Sequence, residues 1–109
     1  MFYINGEYWK IIAAPSDDEK LRRSDGGFTV GVCDNNDKAI YLNSELEGDF
    51  LKKVLCHEIT HAAMFSYDVF LTIFQEELVA DLMATYGEQI IDITDDVFMS
   101  IKNKMGRES

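Results

Sequence analysis

The sequence predicts a single α+β domain over residues 1–109, in which a small, mainly antiparallel sheet comes first and two helices follow. Strand-like segments separated by turn residues occupy the chain up to residue 43. Apolar residues recur every three or four positions in residues 51–65 and again in 73–86, as on one face of a helix. With 47% hydrophobic residues, the chain can bury one modest core.

Two hairpins are expected in the first part of the chain. Residues 2–4 and 8–12 flank Asn5-Gly6, a pair that tolerates the positive φ of a type I′ turn, although the second arm could instead enter a helix. Residues 13–27 are polar and predict a loop with at most one helical turn. Residues 28–33 and 38–43 then predict an antiparallel hairpin. Its Asp34-Asn35-Asn36-Asp37 connection lacks the distal Glu of a calcium loop, so a plain turn is favoured.

The helices have recognisable starting signals. Ser44 and Glu47 fit a capping box that opens the first helix, which is expected to end at about Phe65 or Ser66. Thr72 and Gln75 form a second such pattern before a helix that Gly87 is expected to interrupt. A last short helix is expected to begin near Thr94 and to include Val97, Phe98, Ile101 and Met105.

The first helix carries His57-Glu58-Ile59-Thr60-His61, an H-E-x-x-H pattern that holds both histidines of the chain. Residues four apart lie one turn apart on the same face, so His57 and His61 can aim two imidazole nitrogens at one Zn²⁺ ion. Glu58 lies about 100° further round, where it can act as a general base. The plainer alternative is a surface helix with two solvated histidines.

Catalytic zinc generally has three protein ligands, so a third is expected from the next helix. Glu77 and Asp81 lie one turn apart there, and the small residues Ala80 and Ala84 let that helix approach closely. Glu77 is therefore predicted as the third ligand, with Asp81 placed to orient a histidine. Glu76 is the rival, although an acid near a helix N-terminus is also favoured by the helix dipole alone.

Charge and composition limit the partners. The 20 acidic and 10 basic residues give a net charge of −10, which predicts no direct binding of nucleic acid and none of an anionic membrane. Residues 1–6 do not resemble a signal peptide, and no apolar run approaches the length of a membrane span, so a cytoplasmic protein is expected. Cys33 and Cys56 are expected to be buried thiols rather than a disulfide.

The two helices resemble the ImmA/IrrE-type zinc peptidases, in which H-E-x-x-H is followed by E-x-x-A-[ND]-x-x-A. Here the second pattern is Glu77, Ala80, Asp81 and Ala84, and the resemblance covers roughly residues 38–88. It implies a minimal zincin-like fold, His57, His61 and Glu77 as zinc ligands, and Glu58 as the catalytic acid and base. Members of that family are associated with mobile elements and stress regulation, where they act on repressor-type proteins.

The resulting expectation is a zinc-dependent peptidase acting on a protein or peptide substrate. The alternative is a zinc-stabilised module that binds a regulator, and Glu58 favours the peptidase because a purely structural site needs no unligated acid beside the metal. Tyr67 is a candidate second donor to the oxyanion, although a partly buried loop tyrosine is the plainer interpretation, and Tyr86 is a weaker candidate. The oligomeric state stays open.

The strand at residues 38–43 is expected to hold the substrate. In the peptidases that this chain resembles, an edge strand above the metal accepts an extended peptide, and an unpaired edge offers the backbone groups for that addition. The alternative is a central strand with both edges paired.

Overall fold

A computed structural model describes residues 1–108 of the chain, and the side chains of residues 1–104. The described chain forms four strands, one short 3-10 turn and two helices, so the predicted α+β class is confirmed. In chain order these are β1 (Phe2–Ile4), β2 (Glu7–Ala14), the 3-10 turn (Glu19–Leu21), β3 (Gly31–Asp34), β4 (Ala39–Asn43), α1 (Gly48–Ser66) and α2 (Ile73–Glu108).

The sheet is mixed and has the strand order β1-β2-β4-β3. Two antiparallel hairpins, β1–β2 and β3–β4, are joined by a parallel pairing of β2 with β4, in which Ile11 lies opposite Ile40. Strand β4 therefore has both edges paired, and the prediction of an open edge at residues 38–43 is wrong. Its second partner, β2, lies far earlier in the chain, and no local sequence pattern predicts that pairing. The edge strand next to β4 is β3.

Both hairpin turns follow from their residues. Asn5 and Gly6 have φ values of 50° and 79°, so the predicted first hairpin with its two left-handed turn residues is confirmed. In the second turn, Asp34 Oδ1 accepts hydrogen bonds from the Asn36 and Asp37 backbone N–H groups at 2.9 and 3.1 Å, which is a plain turn as expected. Strand β3 begins three residues later than predicted, at Gly31.

The starts of the two helices confirm one of the two capping predictions and contradict the other. Gln75 N donates to Thr72 Oγ1 at 3.2 Å and Thr72 N donates to Gln75 Oε1 at 3.1 Å, so the capping box before α2 is confirmed. The box at Ser44 is wrong, because α1 begins only at Gly48. Ser44 N instead donates to Ala14 O at 2.8 Å, which extends the ladder between β2 and β4.

Helix α2 runs through Gly87 without a break, so the expected interruption and separate last helix are wrong. Gly87 is buried, and a Cβ atom there would come close only to the flexible side chain of Met83. The helix is antiparallel to α1, with Lys52 Nζ 3.0 Å from Glu88 Oε2. Met105 belongs to this helix, but its side chain lies outside the described ones.

The core lies between the sheet and α1, where Trp9, Ile40, Leu42, Val54 and Ala62 are buried together. The Trp9 Nε1–H group donates to Ser66 Oγ at 2.9 Å and thereby ties the first hairpin to the end of α1. Ala80 is fully buried where α2 meets α1. This packing holds α1 over the sheet with its histidines towards α2. Within residues 1–108, no helix combines the length and apolar character needed to cross a membrane.

Candidate metal centre

His57 and His61 project from one face of α1, one turn apart. Their ring centroids are 4.9 Å apart, and their Nε2 atoms approach to 3.2 Å. Val54 and Ala62 of the same helix are buried in the core against the sheet. The two Nε2 atoms are therefore held towards one point by the packing of α1.

Glu77 meets the two histidines from α2. Its Oε2 atom lies 3.2 Å from His57 Nε2, and its Oε1 atom lies 3.1 Å from His61 Nε2. One ligand atom from each of the three residues lies within 4.8 Å of the others, close enough to hold a metal ion. Among the residues that the structure describes, this is the one group of three or more His, Cys, Asp or Glu side chains with that property.

The outer nitrogen of each ring faces a carboxylate. Asp81 Oδ1 lies 3.0 Å from His57 Nδ1, where the sequence had placed an orienting group, and Glu76 Oε1 lies 2.6 Å from His61 Nδ1. Glu76, the rival third ligand, thus contacts the far side of a ring. Because a carboxylate accepts hydrogen bonds, these contacts favour the tautomer in which Nδ1 carries the proton and Nε2 is left for a metal ion.

This donor set fits a tetrahedral cation. The two Nε2 lone pairs and the Glu77 carboxylate are electron-rich groups that repel one another unless a positive charge lies between them. Ligands at about 2.0 Å from a tetrahedral ion are separated by about 3.3 Å. The two Nε2 atoms lie 3.2 Å apart, and each of them lies 3.1 to 3.2 Å from a different oxygen of Glu77, which is close to that spacing.

Glu58 lies beside these groups without belonging to them. It is only 7% exposed, and its Oε1 atom lies 4.0 Å from His57 Nε2. Burial raises the pKa of the Glu58 carboxyl, and the neighbouring His61 and His57 rings oppose that rise. Glu58 also packs closely under β3, because a Cβ atom on Gly31 would lie 3.2 Å from Glu58 Cγ.

A cleft joins the histidines to the free edge of β3. Gly31, Cys33, Glu58, His61 and Glu77 are among its lining residues. Because Asn43 N donates to Val30 O at 2.9 Å, alternate residues of β3 pair with β4, and the backbone N–H and C=O groups of Gly31 and Cys33 point the other way. The sequence does not predict either residue as part of the site, because both reach it through strand pairing and not through any pattern around the histidines.

The two candidate tyrosines lie apart from the cluster. Tyr67 follows α1 and is 59% exposed, and neither it nor Tyr86 lines the clefts that flank the histidines. Both cysteines are free thiols and only partly buried. Burial raises the pKa of the Cys33 thiol, while Cys56 Sγ donates to Met83 O at 3.7 Å.

Comparison of the chain with protein-family models, with curated proteins and with solved structures found no match. The functional assignment therefore rests on the geometry of this chain.

Proposed function

We propose that this chain is a zinc-dependent peptidase of the ImmA/IrrE type, with a zincin-like fold, acting in the cytoplasm on a protein or peptide substrate. One observation carries the proposal. Two histidine Nε2 atoms and one carboxylate converge closely enough to hold a metal ion, and a buried acid that is not part of that trio lies beside them.

The donor set supports zinc as the ion. Two imidazoles and one carboxylate, with a position left for water, are a common ligand set of catalytic zinc. When bound, zinc lowers the pKa of water and polarises a carbonyl group. His57, His61 and Glu77 would hold the ion, while Asp81 and Glu76 keep the rings in the required tautomer and orientation.

Glu58 is proposed as the general base and acid. Its carboxylate takes a proton from the attacking water and returns it to the leaving amine of the cleaved peptide bond. A buried carboxyl with a raised pKa is suited to both steps, since it holds a proton more readily than an exposed acid does. A module that used zinc only for stability would have no need of this acid.

The free edge of β3 is the proposed seat of the substrate, in place of β4. A peptide added along β3 as one more strand would bond to the backbone groups of Gly31 and Cys33. The same cleft contains Glu58 and Glu77, so the peptide backbone would pass beside the reacting groups. A regulatory protein of the repressor type is the substrate class that the family resemblance favours.

The substitution Glu58→Gln tests the proposal. It keeps the shape of the side chain and all three ligands but removes the proton acceptor, so cleavage of a fluorogenic peptide library should fall about 10²- to 10⁴-fold. Zinc content and melting temperature should hardly change. Glu45→Gln, which neutralises an exposed acid in the connection before α1, is the matched control and should retain full activity.

Each alternative predicts a different result. Equal cleavage by the Glu58→Gln protein would exclude the general base, and loss of zinc would make Glu58 a ligand or a structural residue. If the zinc-loaded native chain cleaves no member of the library, the zinc-stabilised binding module becomes the better description.

A further inference from the structure

The second half of α2 extends beyond the rest of the molecule. Lys52 in α1 pairs with Glu88 in α2, and because the helices are antiparallel, the first residue of α1 lies near residue 92 of α2. From residue 88 to residue 104, every described residue of α2 is exposed. A helical segment of this length is only marginally stable in water without a packing partner.

The exposed segment carries an apolar seam. Ile91, Thr94, Phe98 and Ile101 follow one another at spacings of three, four and three residues, which is the heptad pattern of a paired helix. Ile91, Phe98 and Ile101 are 54%, 59% and 50% exposed. Val97 extends the apolar surface on one flank of the seam. We call these five residues the distal seam.

The charges on the other flank are complementary when two such helices run in opposite directions. Asp95 and Lys102 are seven residues apart and lie at nearly the same angle beside the distal seam. Four acidic residues of this segment precede Phe98, namely Glu88, Asp92, Asp95 and Asp96. Three basic residues and one acidic residue follow it, namely Lys102, Lys104, Arg107 and Glu108. An antiparallel pair places the acidic half of one helix against the basic half of the other, whereas a parallel pair sets acid beside acid.

We propose that the distal seam is a dimer interface, in which α2 packs against α2 of a second copy of this chain in antiparallel orientation. Phe98 then packs beside Ile101 of the partner subunit, and Asp95 lies near Lys102 of the partner subunit. The twofold symmetry repeats each of these contacts, as in an isologous interface.

The proposed interface is small, which favours a weak dimer. Helices overlapping from residue 91 to residue 108 are in contact over about 27 Å. Such a contact lies near the lower end of the range for stable interfaces, so a dissociation constant in about the micromolar range is expected. Glu77 lies about 20 Å along α2 from Ile91, so both metal centres stay outside the contact.

Sedimentation equilibrium of the full chain tests the pairing over about 1 to 300 μM. The native chain should pass from monomer to dimer in that range, and Phe98→Asp should stay monomeric. Met99→Asp is the matched control, because Met99 is 51% exposed, adjacent in sequence and directed away from the distal seam. It should dimerise like the native chain.

Charge reversal tests the orientation. Asp95→Lys and Lys102→Asp should each raise the dissociation constant about tenfold, because each creates two like-charge contacts per dimer. The double variant Asp95→Lys/Lys102→Asp should return to near the native value. A native chain that is monomeric at about 300 μM, equal dissociation by Phe98→Asp and Met99→Asp, or a double variant weaker than either single one would overturn the proposal.

Discussion

Gly31 lies so close to the candidate metal centre that it leaves no room for a side chain. A Cβ atom there would lie 2.9 Å from Val54 Cγ1 and 3.2 Å from Glu58 Cγ, and its backbone needs no left-handed φ. We therefore expect Gly31→Ala to shift α1 or β3 by a few tenths of an ångström and to misplace the Glu58 carboxylate. Peptide cleavage should fall at least about tenfold, because misplacing a reacting group is costly. Bound zinc, measured in the same samples, should stay constant.

A double variant shows whether this loss passes through Glu58. If Gly31→Ala acts by displacing that carboxylate, adding it to Glu58→Gln should slow cleavage little further. A full additional loss in Gly31→Ala/Glu58→Gln would place its effect elsewhere, for example on binding of the peptide at β3.

For single residues, the sequence predicts those positions in the site that depend only on neighbours along the chain. The spacing of His57 and His61 follows from one turn of helix, and Asp81, one turn after Glu77 on the same face of α2, favours Glu77 over the adjacent Glu76. Gly31 carries no such sign, because its closeness to Glu58 arises only when β3 packs beside α1. The contact of Glu76 Oε1 with His61 Nδ1 likewise depends on the distance between the two helices.

Among the elements, α2 continues through Gly87 without a break, so the effect of a side chain at this position can be tested. Glycine within a helix costs about 1 kcal/mol relative to alanine, and the atoms that a new Cβ would meet belong to the flexible Met83 side chain. We expect Gly87→Ala to raise the free energy of unfolding by up to about 1 kcal/mol, as measured by urea denaturation.

Gly6→Ala provides the contrast. Gly6 has a φ of 79° in the first hairpin turn, a conformation that alanine adopts only with strain, so that substitution should destabilise the chain by about 1 to 2 kcal/mol. Destabilisation of Gly87→Ala by a similar amount would mean that α2 does not tolerate a side chain at its contact with α1.

The two capping patterns show why some helix starts can be predicted from the sequence and others cannot. Thr72 and Gln75 bond to each other across one helical turn, so the local sequence suffices. Ser44 has the same pattern three residues before Glu47, but its N–H group is taken by Ala14 O, thirty positions back along the chain. The same long-range pairing of β2 with β4 closed the edge that the sequence left open.

For the whole molecule, a bound ion would join the two helices. His57 and His61 belong to α1 and Glu77 to α2, so an ion held by all three binds the folded chain and not the unfolded one. Free Zn²⁺ at about 100 times its dissociation constant should stabilise the fold by about 2.7 kcal/mol. Thermal denaturation with Zn²⁺ and with a chelator should therefore give clearly separated midpoints.

Two exposed glutamates on α2 distinguish this effect from unspecific binding to an acidic protein. Glu77→Gln should abolish most of the shift, and Glu88→Gln, which removes the ion pair with Lys52 and lies outside the candidate centre, should keep it. Equal shifts in both variants would mean that zinc binds the surface charge and not the candidate centre.

The central place of β4 also bears on the order in which the chain folds. The hairpins β1–β2 and β3–β4 each join neighbouring segments, and so does the pair of helices, whereas the parallel ladder between β2 and β4 must first close the long connection between them. We expect that docking step to limit the rate of folding. The histidines and Glu77, which lie within residues 57–77, can meet on the helix pair before the ladder between β2 and β4 forms. We therefore expect capture of the ion to precede completion of the sheet.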